Sequence, residues 1–454
     1  MIKHTRILLI TLLATPLAAL RAAETETPTK PNIVFIYADD WGWGDLSCHG
    51  HPWLKTPNLD RLASQGIDFQ QFNVLSPVCS PSRTAVMTGR YPARFCIHQH
   101  FASPGQNRQR NMPDWLDPKA PMLPRLLKDA GYRTAHFGKW HLTNGGTYGA
   151  PKPGDYGYDE ASVHNGGAEW PSADLLATAP NTVAFIKANK DKPFFINVWL
   201  HQSHLPHVPT KESMETWKHL DEQKQVYAAV ITDGDNAVGA ILDALKTEGL
   251  EKNTIVLFSS DNGPESTTAQ KLKKPGYGGY YSVGSSGGLR GRKRSLFEGG
   301  VRVPFIVRWP GHTPAGMKND TTVFTAVDLL PTLCAAAGVT LPDDYTGDGE
   351  NLLSALQGGT ASRTRPLFWE WLGPAKEPNW WPRLAVREGD WKLTLTADTT
   401  RAELYNLAKD RAEATNVANE YPEIVERLKK LVLEWKATLP ATPDPACIST
   451  TKNK

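Results

Sequence analysis

The run Ile33-Val34-Phe35-Ile36-Tyr37, closed by Ala38-Asp39-Asp40, decides the fold. Five apolar residues without polar alternation describe a strand buried on both faces, the kind found in parallel sheets covered by helices. The pattern returns at Pro193-Phe194-Phe195-Ile196-Asn197-Val198-Trp199-Leu200, at Thr254-Ile255-Val256-Leu257-Phe258 and at Pro304-Phe305-Ile306-Val307-Arg308-Trp309. Helical patterns fall between these runs, over 59–65, 122–130, 174–189, 222–248 and 326–337. Strands alternating with helices predict an α/β fold with a large, mostly parallel central sheet flanked by helices. The ligand site of such a sheet lies beyond the carboxyl ends of its strands. Three of the runs end there in polar clusters: Asp39-Asp40, His201-Gln202-Ser203-His204 and Ser259-Ser260-Asp261-Asn262-Gly263.

Asp39, Asp40, Asp261 and Asn262 bring carboxylate and amide oxygens from two strand ends. Adjacent aspartates converging with a third repel one another unless a cation lies between them. Oxygen ligands of this kind suit a hard ion, and the loose set suits calcium better than magnesium. Taken separately, Asp-Asp after a strand and Asp-Asn-Gly are ordinary solvated turns.

A second cluster is Cys79-Ser80-Pro81-Ser82-Arg83, running on through Thr84-Ala85-Val86-Met87-Thr88-Gly89-Arg90. Ser80 is expected to cap a helix with Pro81 in its first turn. Such a helix start offers free N–H groups and partial positive charge to an anion. Arg83, four residues after Cys79, falls on the same helix face. A capped helix behind a buried cysteine would read the same in isolation. Three further elements follow: Gly138-Lys139-Trp140-His141, His204-Leu205-Pro206-His207, and Gly291-Arg292-Lys293-Arg294-Ser295-Leu296-Phe297-Glu298-Gly299-Gly300. On an extended segment Lys139 and His141 face the same way.

Cys-x-Pro-Ser-Arg followed by Thr-Gly, with these elements in this order, resembles the type I, formylglycine-dependent sulfatases. The stretches Trp41-Gly42-Trp43-Gly44-Asp45-Leu46 and Thr88-Gly89-Arg90-Tyr91-Pro92 look closest to the N-acetylgalactosamine-6-sulfatase and arylsulfatase A-like branch. The resemblance runs from Pro31 to about Pro310. It implies an alkaline-phosphatase-like sandwich. It also implies that Cys79 is oxidised to formylglycine by a formylglycine-generating partner enzyme, and that one Ca2+ is held by Asp39, Asp40, position 79, Asp261 and Asn262. Arg83, Lys139, His141, His204 and Lys293 are then the catalytic residues, with Lys139, His204 and Lys293 on the sulfate. His201 and His207 lie near enough in sequence to be confused with His204. Sugar contacts are expected from Arg94, His98 and His100 in one loop and from the loop 164–170, beginning at His164. Met87 replaces the family's common leucine, a swap of similar volume. Arg294 stands where the family has small residues and is a candidate extra anion contact. The expected activity is hydrolysis of a carbohydrate sulfate, galactose-like or N-acetylgalactosamine-like, from a glycosaminoglycan or algal polysaccharide. The competing readings are a phosphate or phosphonate monoester hydrolase on the same scaffold, or a non-catalytic sulfated-glycan binder if Cys79 stays a thiol.

At 454 residues the chain can bury a large core, and 40% hydrophobic with 21% charged residues is ordinary globular composition. A net charge of +3 with scattered basic residues gives no case for nucleic acid. Lys3, His4 and Arg6 precede an apolar stretch over 7–20 and then Arg21-Ala22-Ala23, which reads as a secretory signal over 1–23, with a retained anchor as the alternative. Export to a periplasm or beyond, without stable membrane association, is the expectation. Five cysteines fit an oxidising compartment without forming a disulfide framework. The catalytic domain is expected over 24–358. Residues 359–454, with short strands near 365–371, 383–387, 391–395 and 403–407 and a helix over 420–439, read as a small antiparallel subdomain, a structural lid.

Overall fold

The computed structural model describes residues 30–165, 175–266, 277–373 and 381–450. The signal segment and most of the 164–170 loop lie outside the described residues. In chain order the strands of the main sheet and its satellites are β1 (Asn32–Ala38), β2 (Ile67–Phe69), β3 (Phe72–Asn73), β4 (Arg133–Lys139) and β5 (Glu160–His164). They continue with β6 (Phe194–Trp199), β7 (Thr254–Ser260), β8 (Phe305–Arg308), β9 (Met317–Asn319) and β10 (Phe324–Thr325). Eight of them form one sheet in the order β5-β4-β6-β1-β7-β8-β2-β9. β1 pairs in parallel with both β6 and β7, and β4 with both β5 and β6. β8 is the exception: it runs antiparallel to β7 and to β2, so the apolar run at 304–309 is a buried strand of opposite direction.

Alternate residues of β1 serve two cores. Ile33, Phe35 and Tyr37 join Phe195, Trp199, Ile255 and Leu257 under the helices Cys79–Thr88, Leu123–Asp129 and Leu329–Ala336. Val34, Ile36 and Ala38 join Ile196, Val198, Val256 and Phe258 under Pro57–Ser64, Thr178–Ala188 and the long Glu222–Thr247. Burial on both faces removes any need for polar alternation, which is why the sequence shows unbroken apolar runs.

A four-stranded antiparallel sheet follows: β11 (Leu367–Glu370), β12 (Leu384–Glu388), β13 (Trp391–Leu395) and β14 (Ala402–Asn406), packed by the helix Pro422–Ala437. Its Trp369, Val386, Leu393 and Val432 belong to the same apolar cluster as Ile33 and Phe35, so the core is continuous from the large sheet to the small one. No helix among the described residues is long and apolar enough to cross a membrane.

One glycine fixes how β4 delivers its last residue. Gly138 has φ of +102°, and a Cβ there would come within 2.1 Å of the Trp199 carbonyl oxygen on β6. Gly138→Ala is therefore expected to destabilise the protein by roughly 2–4 kcal/mol through strain and overpacking. The urea midpoint should fall accordingly. An unchanged midpoint would show that β6 yields freely at this point.

Candidate active site

Parallel pairing brings distant motifs to one edge. Ala38 of β1 lies beside Ser260 of β7, Tyr37 beside Trp199 of β6, and Gly138 of β4 beside Trp199. The residues that follow each strand, Asp39-Asp40, Asp261-Asn262, His201 to His204, and Lys139 itself, thus meet over the same sheet end. The chain turns sharply at Asp40, whose φ is +62°, and its N–H donates to Asp261 Oδ1 at 3.1 Å.

Cys79 enters from above, at the first position of its helix. The expected Ser80 cap is corrected: Val78 occupies the cap position without a side-chain bond, and Ser80 Oγ instead accepts the Phe101 N–H at 3.0 Å. Ligating atoms of Cys79, Asp39 and Asp261 lie within 4.8 Å of one another. Lys139 Nζ is 3.4 Å from the Cys79 sulfur. Burial pushes the Cys79 thiol up to about 12 despite the nearby Lys139, so an unmodified cysteine here is neutral and poorly nucleophilic.

Arg83, fully buried one turn on, places Nη2 2.6 Å from Asp261 Oδ2 and 3.6 Å from Asp39 Oδ2. Its guanidinium packs over Trp199 at 4.8 Å. Asp39 Oδ2 also meets Lys139 Nζ and His201 Nδ1, each at 2.5 Å. Asp40 takes Lys293 Nζ at 2.5 Å on one oxygen and Asn262 Nδ2 at 2.7 Å on the other. Burial alone would raise the Asp39 carboxyl, but Lys139, His204, His201 and Arg83 more than offset it and hold it well below the carboxylate range. Asp261 is pushed up to about 7, first by burial and then by Asp39. Burial would lower the Lys293 ammonium, yet Asp40 leads the charges that raise it.

The donor set fits a hard divalent cation. Three carboxylates and one amide converge, and Asp39 Oδ1 and Asn262 Oδ1 are buried with no hydrogen-bond partner. Three cations, Arg83, Lys139 and Lys293, already balance three carboxylates, so a bound divalent ion leaves the pocket net positive, as an anionic substrate requires.

Above this floor opens a cavity of about 480 Å³ lined by Cys79, Lys139, His141, His204, Lys293 and Arg294, with His100, Phe101, Gln106 and Asn144 on its walls. His141 has φ of +51°, so the extended geometry expected for Lys139 to His141 ends at Lys139, although both still line the cavity. His141 Nε2 donates to the Phe101 carbonyl at 3.1 Å, which leaves its buried Nδ1 with a lone pair and no partner. His204 Nδ1 donates to the Leu205 carbonyl at 2.7 Å, and its Nε2 stands 4.0 Å from Asp40 Oδ2. Burial and then Lys139 hold both histidines well below the ordinary imidazole range.

Two of the expected sugar contacts lie elsewhere. Arg94 is clamped by Asp348, with Nη2 2.7 Å from Oδ1, and lines a separate cavity of about 540 Å³ beside Trp115 and Cys447. His98 is buried against Glu370 at 3.7 Å and does not line the site cavity. His100 does line it, and burial lowers its ring to about 3. His164 sits behind the wall, its ring 5.0 Å from that of His201. His207 is buried against Tyr227 and is not a cavity residue, whereas His204 is. Arg294 lines the cavity with φ of +72°, its guanidinium 2.7 Å from Glu265. The sequence reading missed His201 as the Asp39 partner and Glu265 as the Arg294 partner. Their place just past β6 and just past Asp261-Asn262 was the available signal.

The comparisons with known proteins agree with this geometry. The sulfatase family model matches residues 31–339, and the C-terminal model of N-sulphoglucosamine sulphohydrolase matches 291–438. Human arylsulfatase A is 31% identical, with 92% of this chain and 90% of that protein aligned. N-acetylgalactosamine-6-O-sulfatase of Bacteroides thetaiotaomicron is 28% identical over 89% of this chain and 92% of its own length. The crystal structure of Ps i-CgsB in complex with k-i-k-neocarrahexaose superposes with a TM-score of 0.76 at 25% identity, covering 92% of this chain and 96% of that one. The family match spans most of the chain and includes every element of the pocket: this protein belongs to the sulfatase family and is a sulfuric ester hydrolase.

Proposed function

We propose that this sulfatase removes sulfate from a sulfated carbohydrate, using formylglycine made from Cys79 and one calcium ion. The observation that carries the reading is the meeting of the Cys79 sulfur with Asp39 and Asp261 within 4.8 Å, at the floor of a cavity lined by Lys139, His141, His204 and Lys293. Asp39, Asp40, Asp261, Asn262 and an oxygen at position 79 would hold the ion, and bound calcium supplies positive charge beside the sulfuryl oxygens. Formylglycine, once hydrated, supplies one hydroxyl to attack sulfur and a second whose loss of a proton releases sulfate, which a serine cannot do.

The chain's own residues do the rest. Arg83 pairs with Asp261 and reaches Asp39, drawing both carboxyls down against burial, and adds positive charge beneath position 79. Lys139 and Lys293 reach the sulfuryl oxygens by turning from the aspartates they now touch, offsetting negative charge as it builds. His141, with its Nε2–H committed to Phe101, offers Nδ1 to take a proton at position 79. His204 presents Nε2 to the cavity and hands a proton to the leaving oxygen, with Lys293 assisting. A sulfate ester anion beside it raises its basicity against the two lysines that now depress it.

The sugar is galactose-like or N-acetylgalactosamine-like, from a glycosaminoglycan or algal polysaccharide. Support comes from relatives named N-acetylgalactosamine-6-sulfatase and from a structural neighbour holding a neocarrahexaose. His100, with Asn144 and Gln106 on the same walls, is the sugar contact this reading favours. The partner enzyme is one that generates formylglycine. Residues 1–23 direct export to the periplasm or outside, 24–358 form the catalytic domain and 359–454 the C-terminal subdomain. A panel of defined sulfated monosaccharides tests the assignment. Galactose-type sugars should be desulfated at least about 100-fold faster than glucosamine-type sugars, since a misplaced hydroxyl leaves buried polar groups unpaired. A preference for glucosamine-type sulfates overturns the sugar assignment, and faster turnover of 4-nitrophenyl phosphate than of the sulfate overturns the whole reading.

A further inference from the structure

Both ends of the loop that carries Lys293 are fastened to one short segment of the C-terminal region. The Arg290 N–H donates to the Ala412 carbonyl at 3.3 Å, and the Glu298 N–H donates to the Glu413 carboxylate. The Gly299 N–H closes the neck of the loop on the Arg290 carbonyl at 2.7 Å. Between these ties the backbone passes through left-handed conformations at Gly291 and Arg294, with φ of +83° and +72°. The arginine pays for that conformation only because its surroundings hold it there.

Beneath the loop lies a buried charged cluster that the proposed mechanism does not use. Lys392 of β13, fully enclosed, places Nζ 2.8 Å from Glu298 Oε1 and 3.0 Å from Glu413 Oε1. Arg302 Nε is 2.5 Å from Glu298 Oε2. Asn73 Nδ2 lies 3.4 Å from both Glu298 oxygens, and Arg387 of β12 holds Asn73 Oδ1 at 3.2 Å. Asn73 begins the segment that leads to Cys79. That segment is tied onward by Val74 N–H to the Val301 carbonyl at 2.8 Å, by the Trp369 indole to the Val74 carbonyl at 2.8 Å, and by Arg294 N–H to the Pro77 carbonyl at 2.9 Å. None of Lys392, Glu413, Arg387 or Trp369 lines the cavity. They touch what carries the site, and not what binds in it.

We propose that Lys392 and Glu413 are positioning residues: through Glu298 the C-terminal subdomain sets where the Lys293 ammonium stands. The inference rests on the reading of Lys293 and Cys79 as site residues. It replaces the expectation of a passive lid. A loop shifted by about 1 Å is enough to cost a well-aligned reaction up to roughly 100-fold.

The test uses the full chain, matured in its host, with 4-nitrophenyl sulfate and phenyl sulfate as probes. Glu413→Gln keeps the shape of the side chain and an acceptor for the Glu298 N–H, but gives up the ion pair to Lys392 Nζ at 3.0 Å. We expect Glu413→Gln to stay folded and lose about 10- to 100-fold in kcat, with a larger loss on phenyl sulfate, whose poorer leaving group needs Lys293 more. Lys392→Met should behave alike where it folds. On a Lys293→Ala background the Glu413→Gln loss should shrink to less than about twofold, since both changes act through one ammonium group. Full multiplication of the two losses, or wild-type kcat with wild-type leaving-group dependence in Glu413→Gln, overturns the inference while leaving the site reading intact. Wild-type turnover in Lys293→Ala overturns the site reading, and the inference with it.

Discussion

Cys79→Ala is expected to abolish sulfate ester hydrolysis, a loss of at least about 10⁴-fold in kcat, in a protein that remains folded. The residue is 3% exposed and opens its helix without any capping bond, so a smaller side chain there removes little packing. The fold should lose only about 1 kcal/mol. Cys79→Ser separates the roles further. A hydroxyl at this position attacks sulfur once but lacks the second hydroxyl for release. The serine protein should therefore gain the mass of one sulfuryl group and then stop. In the wild-type protein, peptide mass spectrometry should find the aldehyde or its hydrate at residue 79. An unaltered thiol in fully active enzyme would refute the assignment, because burial holds that thiol neutral.

Asp39→Asn carries the second large effect. One oxygen of Asp39 meets Lys139, His201 and Arg83, and the other is buried with no hydrogen-bond partner. The substitution removes a charge from the proposed ion site and leaves buried cations less compensated. Activity should fall by at least about 10³-fold through loss of charge stabilisation, and stability by roughly 3–5 kcal/mol. Metal analysis should find about one calcium per wild-type chain and little in the variant. Because stability changes as well, the wild-type enzyme provides the cleaner control. Dialysis against a calcium chelator should remove activity, and added calcium should restore it. Full activity in metal-free wild-type protein would sink the proposed ion.

Most of the pocket was legible before the structure because its residues sit at strand ends. Parallel strands send their carboxyl ends to one edge, so Asp39, Lys139, His204 and Asp261 meet whatever the intervening loops do. Arg83 was legible from helical spacing alone. Loop side chains were not. Arg94 and His98 sit in a stretch as polar as a sugar-binding loop, but Asp348 and Glu370, more than 250 residues away, draw both from the site. Ser80 has the chemistry of a helix cap, yet the Phe101 N–H claims its oxygen and the helix starts two residues earlier.

The sequence by itself determined the class of fold, the sulfatase family and the polar groups that end each strand. Those follow from local patterns: unbroken apolar runs, helical spacing and short motifs whose residue types suit one reaction. Only the tertiary structure decided which loops face the cavity, that β8 runs against its neighbours, and that Lys392 and Glu413 grip the loop bearing Lys293. Such outcomes depend on charge pairs and hydrogen bonds between segments far apart in the chain, and no local pattern records them.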